Sequence, residues 1–88
     1  MKPILFSQHA LDQMPDRGAT KEEVVAAINS GELAPAKGKR LSFRKNLPFK
    51  GEWKGRKYAI KQVMPIVMEE SDKILVVTVY VFYFGGTA

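Results

Sequence analysis

Cysteine is absent from this 88-residue chain, which removes disulfides, thiolate nucleophiles and cysteine-ligated zinc from consideration. Histidine occurs once, at His9, with no dense carboxylate cluster in the sequence, so a side-chain metal site is not expected. No cofactor is expected either, and the glycines at 51 and 55 fit no phosphate-binding loop. Long hydrophobic runs are also missing. The longest, Ile74 to Phe84, is too short for a membrane helix, and its Val and aromatic content reads as a buried strand. The N-terminal stretch MKPILFSQH has no cleavage-like segment, so no signal peptide is expected and a soluble cytoplasmic protein is the default. No repeat, linker or low-complexity tract interrupts the chain. A single domain over 1–88 is expected, just large enough to bury its own core.

Acidic residues are scarce in one region only. From Lys37 to Lys61 the chain holds ten of its fourteen Lys and Arg residues and a single acid, Glu52. Residues 1–36 carry three basic and five acidic side chains, and residues 62–88 carry one and three. The net +5 is therefore a block of +9 between two flanks of −2. Such a block concentrates polyanions and speeds their capture. Against a phosphate backbone it would bind by counterion release and weaken steeply with salt. The plainer alternative is that these side chains solubilise a loop and an exposed strand.

Ser7 is placed to cap a helix carrying Ala10, Leu11 and Met14, with Pro15 ending it and Asp16-Arg17-Gly18 as the following turn. Thr20-Lys21-Glu22-Glu23 matches a capping box that opens a second helix, with Val24, Val25, Ala27 and Ile28 as its apolar face and Gly31 at its end. Residues 32–40, with Pro35 and Gly38, read as a loop. Leu41 to Leu47 alternates as a first strand, and Pro48 to Gly55 reads as a hairpin connection. Tyr58 to Met68 is a second strand in which Pro65 implies a bulge or an edge. Ile74 to Phe84 is a third, whose continuous apolarity suggests a central place covered on both faces, and residues 85–88 should fray. The expected fold is α+β: two N-terminal helices on one face of a three- to four-stranded antiparallel sheet. The other face could carry Arg44, Tyr58 and Lys61 in a groove.

His9 is the natural general acid or base in a chain without cysteine, since imidazole titrates near pH ~6.5. A helix histidine bonded to a carbonyl or left in solvent has no such role. Arg17, Arg40, Arg44 and Arg56 could clamp phosphate with their guanidinium forks, and Lys61 has a direction fixed by its strand. Metal-free RNA cleavage needs this combination: a base for the 2′-hydroxyl, a cation for the phosphorane-like charge, an acid for the leaving 5′-oxygen. Trp53, flanked by Lys50 and Lys54, could stack on an unpaired base or pin its loop to the core. Tyr58, Tyr80 and Tyr83 could donate protons, stack on bases, or simply pack in the sheet.

The segment Phe6-Ser7-Gln8-His9-Ala10-Leu11-Asp12-Gln13-Met14-Pro15-Asp16-Arg17-Gly18, followed by the capped helix, resembles domain-of-unknown-function family 4258. That family is recognised by a pattern His-Ala-x-x-Arg-Met-x-x-Arg-Gly-Ile, a basic middle, and strands similar to Arg56–Val63 and Ile74–Tyr80. The resemblance spans roughly residues 4 to 81. It implies an α+β fold like the RelE/ParE and barnase–EndoU–colicin–RelE toxins, many of which cleave RNA without metal. By that analogy His9 would be the acid or base, and Arg17 with Lys61 or Arg44 would hold phosphate. Gln13 stands where the family has Arg, which removes a cation from the helix face of His9, and Ala19 replaces Ile. The leading expectation is a toxin-like, metal-independent ribonuclease acting on single-stranded RNA, with His9, Arg17 and Lys61 catalytic. Arg40, Arg44, Lys45, Trp53, Arg56, Lys57 and Tyr58 are the expected nucleic-acid contacts. The alternatives are a non-catalytic nucleic-acid-binding module, or a toxin relative that inhibits a protein or pairs with an acidic antitoxin.

Overall fold

The computed structural model describes residues 2–86. Its elements run β1 (Ile4–Phe6), α1 (Gln8–Arg17), α2 (Lys21–Ser30), β2 (Glu32–Pro35), β3 (Leu41–Trp53), β4 (Arg56–Glu69) and β5 (Ile74–Phe84). The strands form one sheet in the order β1-β5-β4-β3-β2, antiparallel except for β1, which lies parallel to β5. The fold is thus α+β, but with five strands in a mixed sheet rather than three or four antiparallel ones. The two additional strands are short edge strands. Three residues before the first helix pair with Ile74–Val76, and part of the expected loop, Glu32–Pro35, pairs with Leu41–Arg44.

Both helices begin where their caps require. Ser7 Oγ accepts the Ala10 N–H at 3.1 Å, and Thr20 and Glu23 satisfy each other's backbone donors at 3.1 and 3.0 Å. The first helix does not stop at Pro15. It runs on to Arg17 and ends at Gly18, whose N–H reaches the Met14 and Pro15 carbonyls and whose left-handed φ of 79° turns the following Ala19 N–H back to the Met14 carbonyl at 2.9 Å. Proline removes only one bond so close to a helix end, and the turn expected at residues 16–18 is consequently the last helical turn and its cap. A Cβ at Gly18 would lie 2.4 Å from Tyr83 Oη and 2.9 Å from the Trp53 ring, so this corner is closed by contact as well as by conformation.

Both ten-residue helices pack on one face of the sheet. Ala10, Met14, Val24 and Ile28 meet Val63, Val67, Val76 and Val79 in a core of small and branched side chains. At ~1.5 Å per residue each helix is about 15 Å long, too little to cover a second face. The opposite face is therefore open, and β5 is covered on one side only.

The β3–β4 hairpin is longer than its sequence suggested. Its strands continue to Trp53 and from Arg56, joined by Lys54 and Gly55 with φ of 51° and 84°, the paired positive values of a type I′ turn. Pro65 lies in central β4 and not on an edge. Its lack of an N–H leaves the β3–β4 ladder unbridged between Ser42↔Ile66 and Lys45↔Val63 without a change of register. Beside it the β4–β5 register shifts, from Ile66↔Thr78 to Val67↔Val76, leaving Val77 as an extra residue on β5. Gly85 is held by the Ala59 N–H at 2.9 Å, while residues 87–88 of the expected frayed tail lie outside the described residues.

The bulge at Val77 decides what β5 shows to solvent. In unbroken alternation from buried Val76, Tyr80, Phe82 and Phe84 would point to the helices. The extra residue flips the parity, so Val79 and Val81 pack inward, Tyr83 turns towards the helix end, and Tyr80, Phe82 and Phe84 face out. The first helix segment fixes this kink. Ser7 donates its N–H to the Val76 carbonyl at 2.9 Å and its hydroxyl to the Val77 carbonyl at 3.3 Å. Gln13 Oε1 accepts the Val79 N–H at 3.0 Å, and Arg17 Nη1 donates to the Val79 carbonyl at 2.7 Å, so two side chains imitate a neighbouring strand. Gln13→Ala would orphan a part-buried N–H, and the expected loss is about 1–2 kcal/mol in urea unfolding.

Candidate functional site

Of the three residues expected to carry catalysis, Arg17 and Lys61 meet at the end of α1, and His9 stands apart from both. His9 is exposed in the first turn of α1. Arg17 is eight residues further on, ~12 Å along the helix axis. Its guanidinium is engaged by the Val79 carbonyl and lies 5.2 Å from the centre of the Tyr80 ring. Lys61 is on the helix side of the sheet, not in the expected groove with Arg44, because it alternates with buried Val63 and pairs opposite Tyr83. Only 7% exposed, its ammonium donates to the Gly18 carbonyl at 2.5 Å and meets Glu23 Oε1 at 2.8 Å. Lys61 thus ties the end of α1 to the start of α2 and is not free to meet a phosphate.

The aromatic residues of the hairpin also look inward. Trp53 stacks on Tyr83 with centroids 5.0 Å apart and planes at 16°, and Tyr58 and Phe49 approach the same ring at 5.6 and 5.1 Å. The Tyr83 hydroxyl donates to the Arg17 carbonyl at 2.9 Å. Burial and the nearby Glu23 carboxylate raise its pKa above the ordinary value. Of the two readings of Trp53, the geometry is that of a ring pinning the hairpin to the helix end. A recess of about 450 Å³ sits at this hairpin against Lys50, Glu52, Lys57 and Tyr58, and neither His9 nor Arg17 lines it.

The +9 block of the sequence is divided in space. Lys37, Lys39 and Arg40 lie on the exposed loop before β3, whereas Lys54, Arg56 and Lys57 cluster around the hairpin turn. Between them runs a 13-residue strand of ~3.3 Å per residue, about 40 Å in all, in a molecule whose longest dimension is 46 Å. Lys45 is half-buried on the helix side beside Val63, so it leaves the basic surface. Arg44 is exposed and pairs with Glu32 at 2.5 Å.

On the open face lies an aromatic platform of which the sequence singled out Tyr80 alone as able to stack on a base. Tyr80, Phe82 and Phe84 are 41%, 45% and 39% exposed. Tyr80 and Phe82 hold their rings nearly parallel, with 20° between planes and centroids 6.4 Å apart. Half-buried Ile60, Met64 and Ile66 of β4 lie beside them on the same face. At one end a groove of about 190 Å³ is lined by Lys37, Arg40, Ile66, Thr78 and Tyr80. Beyond the other end Arg56, Lys57 and Tyr58 form a recess with Gly86. Towards β2 and β3 the face turns polar through Arg44, Asn46 and Gln62, with the Gln62 amide donating to Asn46 at 2.8 Å. The signal that could have found the platform is the alternation Tyr80, Phe82, Phe84, but Val81 and Tyr83 between them hide it.

No protein-family model, curated protein or solved structure matches this chain. Among the described residues no helix is long and apolar enough to cross a membrane.

Proposed function

We propose that the protein is a cytoplasmic, non-catalytic nucleic-acid-binding module whose ligand lies on the open face of the sheet. The observation that carries this reading is the row of three exposed aromatic rings on one uncovered face, with Lys37 and Arg40 in a groove beside Tyr80 and Arg56 and Lys57 in a recess beside Gly86, past the far end of the row. Aromatic faces accept bases of any sequence, and the flanking Lys and Arg hold the phosphates between them. The ribonuclease reading asks for an imidazole beside the phosphate clamp, whereas His9 stands two helical turns from Arg17 and Lys61 is already engaged. The resemblance to the RelE-like toxins is, on this view, one of fold. Ser7, Gln13 and Arg17 of the motif serve the kink of β5.

Fluorescence anisotropy with a labelled single-stranded RNA tests the reading. Binding should weaken by on the order of 10- to 1000-fold between 50 and 200 mM salt. The His9→Ala protein should bind as tightly as the native chain, and neither should cleave the RNA with or without EDTA. Cleavage abolished by His9→Ala would restore the enzymatic reading. Recovery of the chain with a small acidic protein covering the platform, and no retained nucleic acid, would replace the ligand by an antitoxin-like partner.

A further inference from the structure

The platform and the two basic clusters are not scattered on the face; they lie in line along β5. Lys37 and Arg40 stand beside Thr78 and Tyr80, and Arg56 and Lys57 stand beside Gly86, just past the last residue of the strand. Between these ends the outward side chains are Tyr80, Phe82 and Phe84, about 6.6 Å apart for alternate residues of a strand. The whole track from Thr78 to Gly86 is then ~26 Å long. Resting on the nucleic-acid reading above, we infer that the ligand is a single-stranded polynucleotide lying parallel to β5. Three successive unpaired bases stack on Tyr80, Phe82 and Phe84, and the phosphates before and after them meet Lys37/Arg40 and Arg56/Lys57.

Three features select this occupant. A duplex buries its base faces in its own stack, so it cannot use three separate rings on a flat sheet. A second copy of the chain would set the same cations against one another at each end of the platform, since every copy carries them. Among the described residues lining the end recesses and the polar flank of the face, the acid is Glu32, which Arg44 already pairs with, while Glu52 stands opposite Lys57 in the hairpin. The length of the track sets a length for the ligand: three bases plus a phosphate beyond each side, about five or six nucleotides, within the range of single-strand sites on small sheets.

The test is a length series of labelled oligouridylates of 3, 6, 9 and 12 nucleotides, an oligothymidylate series, and a 12-base-pair RNA duplex. Affinity should rise sharply from three to six nucleotides and then level off for a single site, and the duplex should bind at least roughly tenfold more weakly than the 12-mer strand. Arg40→Glu and Arg56→Glu should each weaken the 6-mer by roughly tenfold, while the 3-mer, too short to reach both ends, should respond to only one of them. Both residues are exposed, and circular dichroism checks that the variants fold. Equal RNA and DNA affinities assign the ligand as any single strand; a preference for the uridylates assigns it as RNA. Duplex binding as tight as single-strand binding, or affinity that climbs evenly with length, overturns the track but leaves nucleic-acid binding standing. No binding by any oligonucleotide at low salt overturns both.

Discussion

Lys61→Ala is expected to destabilise the fold by about 3 kcal/mol, the low end for one partner lost from a buried ion pair. In a domain of this size that is a fall in melting temperature of roughly 12–24 °C, readable by thermal circular dichroism. The ammonium is buried, it completes the C-terminus of α1 through the Gly18 carbonyl, and its ion-pair partner is the Glu23 oxygen that also accepts the Thr20 N–H. Deleting it leaves Glu23 without its cation and a helix-end carbonyl without its donor, at the corner where Trp53 and Tyr83 also converge. Lys61→Met separates packing from charge, because it keeps an apolar stem along the sheet. It should recover part of the loss. Glu23→Gln keeps the capping box, which accepts Gln, and leaves only the ammonium uncompensated. It should fall between the native chain and Lys61→Ala. A Lys61→Ala protein as stable as the native chain, yet impaired with RNA, would return this residue to the role of phosphate ligand.

What could be read from the sequence follows from which signals are local. The capping box at Thr20–Glu23 and the span Ile74–Phe84 were legible, because each depends on residues that touch their own neighbours in the chain. The parallel pairing of Ile4–Phe6 was not. Three residues carry no periodicity, and their partner lies about seventy positions away. Strand β2 was hidden by Pro35, which an edge can accept because its missing N–H costs no ladder bond on the solvent side. The direction of Lys61 was unreadable for a different reason. In β4 both alternating sets are apolar, Val63-Pro65-Val67 against Ile60-Met64-Ile66, so the pattern does not say which set meets the helices. The same ambiguity in β5, compounded by a bulge at Val77, concealed the platform. The basic block was plain as composition, but its division by a long strand is a property of the fold.

Tyr80→Ala with Phe82→Ala should lower single-stranded RNA affinity by on the order of 100-fold or more, taking 1–3 kcal/mol for each lost base–aromatic stack. Stability should change little, since both rings are more than two-fifths exposed and neither belongs to the buried core. That separation makes the experiment informative: the affinity falls while the melting temperature holds. Leu33→Ala supplies the control. Leu33 is 57% exposed, more than either ring, but it sits on edge strand β2 opposite Phe43, on the side of the sheet away from the platform. Removing it should leave affinity unchanged. The salt dependence adds a second criterion. Stacking involves no counterions, so the double variant should keep the native slope of log affinity against log salt and shift only the intercept, whereas Arg40→Glu should flatten the slope. If the double variant instead binds RNA as well as the native chain, the rings contact no bases and phosphate attraction alone accounts for the complex. Three large apolar side chains turned to solvent by a one-residue bulge would then call for a different occupant, one that covers them as a protein surface does.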